Sequence, residues 1–318
     1  MHLQFNFWAW LGFVVCILLF LALDLGLFHR RLRIVRFPEA IAWSAAWFVV
    51  AMLFAAAIFN WRSRAEALQF TTGYVIELTL SLDNIMVMAA LFVYFRVPLE
   101  NQQRLLIWGI LGALVMRGIM IYAGVTIVGY FDWILYILGA FLVCAGVKML
   151  LIKKQTNPER NLVLRAARKL FSISENLDGR RFLTRVDGRL FLTPLALALL
   201  LIETTDLIFA VDSVPAVFSV TQDPFIIFTS NIFAILGLRS MYFVLSVAIG
   251  YFRYLNVGLS AVLVFIGAKM LLDPHGHEPK WFQVALPTSV SLMVVAAILL
   301  ISIALSVTTA HREKANVK

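Results

Sequence analysis

An all-α integral membrane protein of about nine transmembrane helices is the fold class this sequence predicts. Three observations predict it: an apolar composition, apolar stretches that recur at the length of a bilayer, and basic residues gathered into alternate connections. Of 318 residues, 62% are hydrophobic and only 14% charged, with a mean hydropathy of +0.89. Soluble domains do not carry that much apolar surface, so water-soluble enzymes and nucleic-acid-binding modules are set aside.

A spanning helix needs about 20 predominantly apolar residues to cross roughly 30 Å of hydrocarbon. Nine stretches qualify: 8–28, 40–60, 68–95, 104–127, 132–152, 191–219, 225–250, 255–272 and 283–309. The first has no basic flank ahead of it and is too long for the apolar part of a leader. It runs directly into Arg30, Arg31 and Arg33, so it reads as a retained anchor.

A net charge of +9 in a soluble chain would point to nucleic acid, but here its distribution is a topology signal. Arg30, Arg31, Arg33 and Arg36 lie in the first connection, and Arg96 and Arg104 in the third. Ten Lys or Arg fall between Lys153 and Arg189, Arg253 lies in the seventh connection, and Arg312, Lys314 and Lys318 are in the tail. One side of the membrane thus holds 20 basic residues, and the other holds Arg62, Arg64 and Lys280. The basic side is expected to be cytoplasmic, with the N-terminus outside and the C-terminus inside. Cys16 and Cys144 both fall inside spans and are expected to pack there, with no disulfide framework or zinc knuckle.

The chain resembles itself. Glu77, five residues, Asp83, Asn84 and Ile85 align at an offset of 129 with Asp206, five residues, Asp212, Ser213 and Val214. Farther on, Arg117 corresponds to Arg239, and Val147–Leu151 to Ala268–Leu272. Each unit has three spans, an odd number, so the second must enter the membrane from the opposite side. A single membrane domain over 1–318 is therefore expected. It comprises a first repeat at 68–152, a basic cytoplasmic loop at 153–190 with a plausible interfacial helix, and an inverted second repeat at 191–272. Inverted repeats commonly place a transporter's substrate where the first helices of the two units meet.

Those helices carry five acids: Glu77 and Asp83 in span three, and Glu203, Asp206 and Asp212 in span six. At about 3 kcal/mol for each ionised carboxylate near a helix centre, something must offset roughly 15 kcal/mol. Cations or protons are the expected partners. On a regular helix a spacing of six separates side chains by about 120° and about 9 Å along the axis, too far to share one ion. Both helices are therefore expected to break between their acids, with Pro215 leaving the Val211 carbonyl unsatisfied beside Asp212.

With Asn84, and with Ser81 and Ser213 in support, the set offers oxygen ligands and no His or Cys. It suits manganese, magnesium or calcium rather than zinc or copper. Arg117 and Arg239 could instead neutralise two of the acids as structural pairs, Lys148 and Lys269 can snorkel toward the interfaces, and Asn84 and Asn231 could be interhelical glue. Asp24 reads as a helix-end residue, and His275, His277 and Glu278 as a solvated outer turn or a metal-capture patch.

These residues resemble the TerC family of membrane proteins and, within it, the bacterial Alx-type branch. The resemblance rests on Glu77 to Asn84, on Leu201 to Ala216 with Glu203, Asp206, Asp212, Ser213 and Pro215, and on Thr229 to Arg239 with Asn231. It covers about residues 8–310 and implies nine spans and manganese(II) efflux. It also implies metal handling through the acids matching Glu77, Asp83, Glu203, Asp206 and Asp212. Family members are also linked to tellurite resistance, alkaline response and metal supply to exported enzymes.

The expectation is a secondary transporter rather than an enzyme, in the bacterial inner membrane. It would export a divalent cation, Mn2+ first and Mg2+ or Ca2+ otherwise, by alternating access with proton antiport and no tightly bound cofactor. The alternatives are an oxyanion carrier built on Arg117 and Arg239, and a scaffold that supplies metal to exported metalloenzymes. Its other expected partners are the lipid bilayer and protons, not nucleic acid. Tyr74 stands where the repeat would match Glu203, so the site should be only approximately symmetric.

Overall fold

The structure is a computed structural model that describes residues 10–13, 15, 17, 37–151, 164, 165, 169, 181–186, 189–248, 254–274, 283, 284 and 286–316. Residues 1–35 form one compact unit and 36–318 another. In the first, the described residues 10–13, 15 and 17 are helical. Cys16, Asp24, His275, His277, Glu278 and most of the 153–180 loop lie outside the described residues.

The second unit is almost entirely helical: α1 (Phe37–Trp61), α2 (Arg64–Tyr94), α3 (Leu99–Tyr130), α4 (Ile134–Leu151), α5 (Pro194–Phe218), α6 (Pro224–Ala248), α7 (Leu255–Leu272) and α8 (Thr288–Asn316). All eight are long and apolar enough to cross a membrane, and they coincide with the second to ninth predicted stretches. The protein is an all-α integral membrane protein. Because lipid cannot hydrogen-bond the backbone, each span must satisfy its own peptide groups, which is why these apolar segments become helices.

Local chemistry sets the ends. Ser63 caps α2 by accepting from the Glu66 N–H at 3.1 Å, and Thr193 caps α5 ahead of Pro194 by accepting from the Ala196 N–H at 3.4 Å. At the far end of α2, Arg96 takes φ 49° while the Val97 N–H reaches the Phe92 carbonyl at 2.9 Å and the Arg96 N–H reaches that of Val93 at 3.1 Å. This closing turn usually uses glycine, and Pro98 then stops the chain from continuing as a helix.

In the basic loop the described residues correct the expectation of helix or simple loop alone. Leu164, Arg165 and Lys169 are helical, but β1 (Leu183–Val186) and β2 (Arg189–Leu192) form an antiparallel hairpin in which Val186 pairs with Arg189. Two residues, Asp187 and Gly188, separate the strands, the dipeptide most characteristic of tight hairpins. The Thr193 hydroxyl donates to the Arg181 carbonyl at 2.8 Å, tying the hairpin to the start of α5.

Helix α6 is the most enclosed span, whereas α1, α4 and α8 turn much of their surface outward. It packs against α1, α2 and α3. Phe54 of α1, Phe70 of α2 and Phe233 of α6 meet with ring centroids 4.8–5.8 Å apart. Cys144 is exposed on α4 and so does not serve the interior packing expected of it. Of the two lysines expected to snorkel, Lys148 is exposed, but Lys269 is buried and donates to the Ser219 carbonyl at the end of α5 at 2.9 Å. A buried ammonium there meets the negative end of the helix dipole.

The two shortest spans, α4 and α7, press backbone to backbone. A Cβ on Gly267 would lie 2.6 Å from the Gly139 carbonyl oxygen, and one on Gly146 would lie 2.8 Å from that of Ser260. Residue 139 meets 267 and residue 146 meets 260, so the helices run antiparallel. Under the alignment of Val147 with Ala268, Gly139 corresponds to Ser260 and Gly146 to Gly267, and the two contacts interchange.

Adding a methyl at Gly267 forces the backbones apart, an overpacking cost of about 1–3 kcal/mol. At Gly129, where a Cβ meets nothing within 4 Å, Ala stabilises the helix by about 0.4–1 kcal/mol instead. Thermal unfolding of the two purified variants in detergent should therefore shift in opposite directions, and a shared direction would refute the close approach of α4 and α7.

Candidate cation site

Glu77 lies near the middle of α2 and Asp206 near the middle of α5. Glu77 and Asp206, the pair matched by the repeat, are buried at 0% and 3% exposure. Between them stands Arg117 of α3, itself buried. Its Nη1 forms an ion pair with Glu77 Oε1 and donates to Asn231 Oδ1 of α6 at 2.8 Å, while Nη2 lies 3.9 Å from Asp206 Oδ1. Asn84 Nδ2 donates to the same Asp206 oxygen at 3.3 Å, and Asn231 Nδ2 donates back to the Ile227 carbonyl at 2.9 Å. Four spans, α2, α3, α5 and α6, thus converge on one buried polar cluster.

The helices do not break, which corrects the sequence expectation. α2 is continuous through Glu77 and Asp83, and α5 through Asp206, Asp212 and Pro215. Pro215 lies in the last turn of α5, within the fully buried run Ser213 to Thr221, so surrounding packing holds the helix despite the missing N–H. Nor is a break needed to bring acids together. Arg117 of α3 links one acid from each helix.

The remaining predicted residues lie on the same helices. Asp83 is buried on α2 and Asp212 half-buried on α5, each a turn and a half beyond the central acid of its helix. Ser81 and Ser213 are buried, as is Arg239 on α6. Among the described residues no three Asp, Glu, His or Cys side chains approach closely enough to hold one metal ion together. Arg117 occupies the space between the two central carboxylates. The pairing that the sequence left as an alternative, Arg117 with an acid, is present.

Glu203 is seated differently. Its carboxyl lies against Gly112 of α3, in the space a Cβ there would fill. It is half-buried one turn before Asp206 on α5. Gly112 is a residue that sequence reasoning passed over. The available signal was the close spacing of Gly109 and Gly112 near the middle of a span.

What the arrangement offers chemically is a set of buried oxygens left unpaired. Asp206 Oδ2, Asn84 Oδ1, Ser81 Oγ and Ser213 Oγ are buried and have no hydrogen-bond partner among the described residues. Orphaned buried polar atoms are rare in folded proteins and call for a partner such as water or an ion. Carboxylate, amide and hydroxyl oxygens together suit a hard divalent cation.

The profile described as "Integral membrane protein TerC family" matches residues 62–314, most of the chain and all the spans of this cluster. The chain belongs to the TerC family. Similar proteins include the membrane protein STKORF319 of Myxococcus xanthus, 49% identical over 299 residues, 93% of this chain and 91% of that one. Alx of Escherichia coli strain K12, provisionally named a membrane-bound redox modulator, is 43% identical over 304 residues, 92% of each chain. A membrane protein of Rickettsia felis is 36% identical over 300 residues, 94% of this chain and 97% of its own. No solved structure matches. This TerC protein is accordingly a multi-pass integral membrane protein with bacterial relatives.

The seat of Glu203 is testable without reference to function. Gly112→Ala should cost about 1–3 kcal/mol of stability in the wild-type background and under about 0.5 kcal/mol once Glu203→Ala has removed the displaced carboxyl. Additive losses in this double-mutant cycle, measured by thermal unfolding in detergent, would rule out the contact.

Proposed function

We propose that this TerC protein is a secondary transporter that exports a divalent cation, Mn2+ in the first place, across the bacterial inner membrane. The observation that carries the reading is the group of unfilled buried oxygens on the two spans that carry Glu77 and Asp206. Ionisable residues within spans mark ion pathways far more often than structural needs, because hydrocarbon penalises them. The donor set lacks His and Cys, which favours manganese, magnesium or calcium over zinc and copper.

Exporting a doubly charged ion against an inside-negative potential costs about 4.6 kcal/mol per 100 mV, at about 2.3 for each charge. A passive pore would run inward, so an energy source is required, and protons are the available one. The mechanism proposed is alternating access. Ionised Glu77 and Asp206 take up the metal with Asn84 from the cytoplasmic side, Asp83, Glu203 and Asp212 serve its path along the same two helices, and protonation outside displaces it. An inverted repeat of α2–α4 and α5–α7 supplies two equivalent halves for such rocking, a reading supported by the interchanging contacts of α4 and α7. The orientation, N-terminus outside and C-terminus inside, follows from the basic connections. Purified protein transporting Mn2+ alone would argue against the scaffold that hands metal to exported metalloenzymes.

The rival oxyanion carrier would need Arg117 and Arg239 open to an anion. Arg117 already faces Glu77 and Asp206, and any anion entering there would meet two carboxylates. That geometry favours the cation.

Asp83→Asn and Asp212→Asn should each abolish Mn2+ efflux from metal-loaded proteoliposomes, a loss of at least tenfold, with insertion and yield unchanged. Wild-type efflux by both variants would sink the proposal. Loss of a tellurite phenotype on removing Arg117 or Arg239, but not the acids, would transfer the assignment to the oxyanion reading.

A further inference from the structure

Arg117 is bonded less fully than a structural arginine of its burial. A guanidinium presents five N–H donors in a rigid fork, and buried ones are ordinarily saturated. Here Nη1 serves both Glu77 and Asn231, whereas Nε and Nη2 have no hydrogen-bond partner among the described residues and Nη2 stands 3.9 Å from Asp206. The acceptors are unfilled to match. Asp206 Oδ2, Asn84 Oδ1, Ser81 Oγ and Ser213 Oγ belong to side chains at most 3% exposed, and none has a hydrogen-bond partner among the described residues. Arg117 Nη2 and the Asp206 carboxylate face each other without closing a hydrogen bond. A network built for stability alone would have closed those bonds, because half-satisfied buried groups are costly.

We propose that Arg117 is a tethered cation that competes with the transported metal, guanidinium and divalent ion using the oxygens of Glu77 and Asp206 in alternation. This deepens the metal reading of the same site and rests on it. Without cargo, the guanidinium supplies one positive charge to two carboxylates that would otherwise repel each other across a low-dielectric gap. When a divalent ion enters, its compact double charge outcompetes the diffuse guanidinium, which withdraws to Asn231, already its acceptor at 2.8 Å. Asn84, which donates to Asp206 in the empty site, can present its unpartnered Oδ1 to the metal by an amide rotation.

Two consequences distinguish this role from simple charge pairing. In the empty site the guanidinium screens the two acids from each other. The affinity of the site is also held low enough for release, as transport requires of any binding site. Removing the competitor must therefore tighten binding while slowing turnover. An arginine needed only to position or neutralise Glu77 would do the reverse or nothing, since its loss would misplace or protonate the ligand.

Titration calorimetry with MnCl2 on the purified full-length protein tests this, using wild type, Arg117→Gln and Arg117→Lys, with Mn2+ efflux measured from proteoliposomes. R117Q should bind Mn2+ at least tenfold more tightly than wild type and export it at least tenfold more slowly. In R117K a single ammonium reaches one carboxylate at a time, so affinity should rise at least threefold. Unchanged or weaker binding in either variant overturns the proposal, and if R117Q does not accumulate, R117K alone decides. Binding to wild type without tightening in the variants defeats the competition while leaving the metal reading intact. Absence of Mn2+ binding by wild type defeats both.

Discussion

The ion pair of Arg117 with Glu77, with Asp206 beside it, is the interaction on which the rest of this membrane domain is organised. Two carboxylates and a guanidinium cannot be left in hydrocarbon without one another, since each isolated charge there costs several kcal/mol. Satisfying them forces α2, α3, α5 and α6 to converge, and α6 becomes the most enclosed span because it supplies Asn231 to the same group. The outer helices, α1, α4 and α8, are then free to be almost wholly apolar. Polar residues concentrate on the inner spans because that is where they find partners.

A second constraint acts away from the charges. Helices in lipid gain nothing from merely hiding apolar surface, so close packing has to come from small residues that let backbones touch. Gly139, Gly146, Ser260 and Gly267 do this between α4 and α7. The acid cluster and this glycine seam both bring together corresponding spans of the two sequence units. If the domain rocks, the seam is a natural pivot and the cluster is what the motion exposes.

The spans were legible in the sequence because a stretch of about 20 apolar residues has few other uses, and the five acids stood out because they are the only charged residues in the third and sixth stretches. What could not be read was the pairing. Whether Arg117 faces Glu77 depends on how α3 crosses α2, and no one-dimensional pattern encodes a crossing. The expected helix breaks failed for the same reason. Spacing within α2 shows that Glu77 and Asp83 cannot share an ion, but it is silent on the second helix that brings Asp206 to the arginine facing Glu77. Gly112 was invisible because its role is to be absent beneath Glu203. The hairpin was signalled by Asp187 and Gly188, and the basic charge around them drew the reading toward topology instead.

The central claim is that a divalent cation occupies the buried oxygens between α2 and α5. Anomalous X-ray scattering from crystals of the protein grown with Mn2+ tests it most directly. The account predicts a manganese peak within coordination distance of Glu77 or Asp206 oxygens, with the Arg117 guanidinium displaced toward Asn231. A peak confined to surface carboxylates, with Arg117 still seated between the two buried acids, would contradict it.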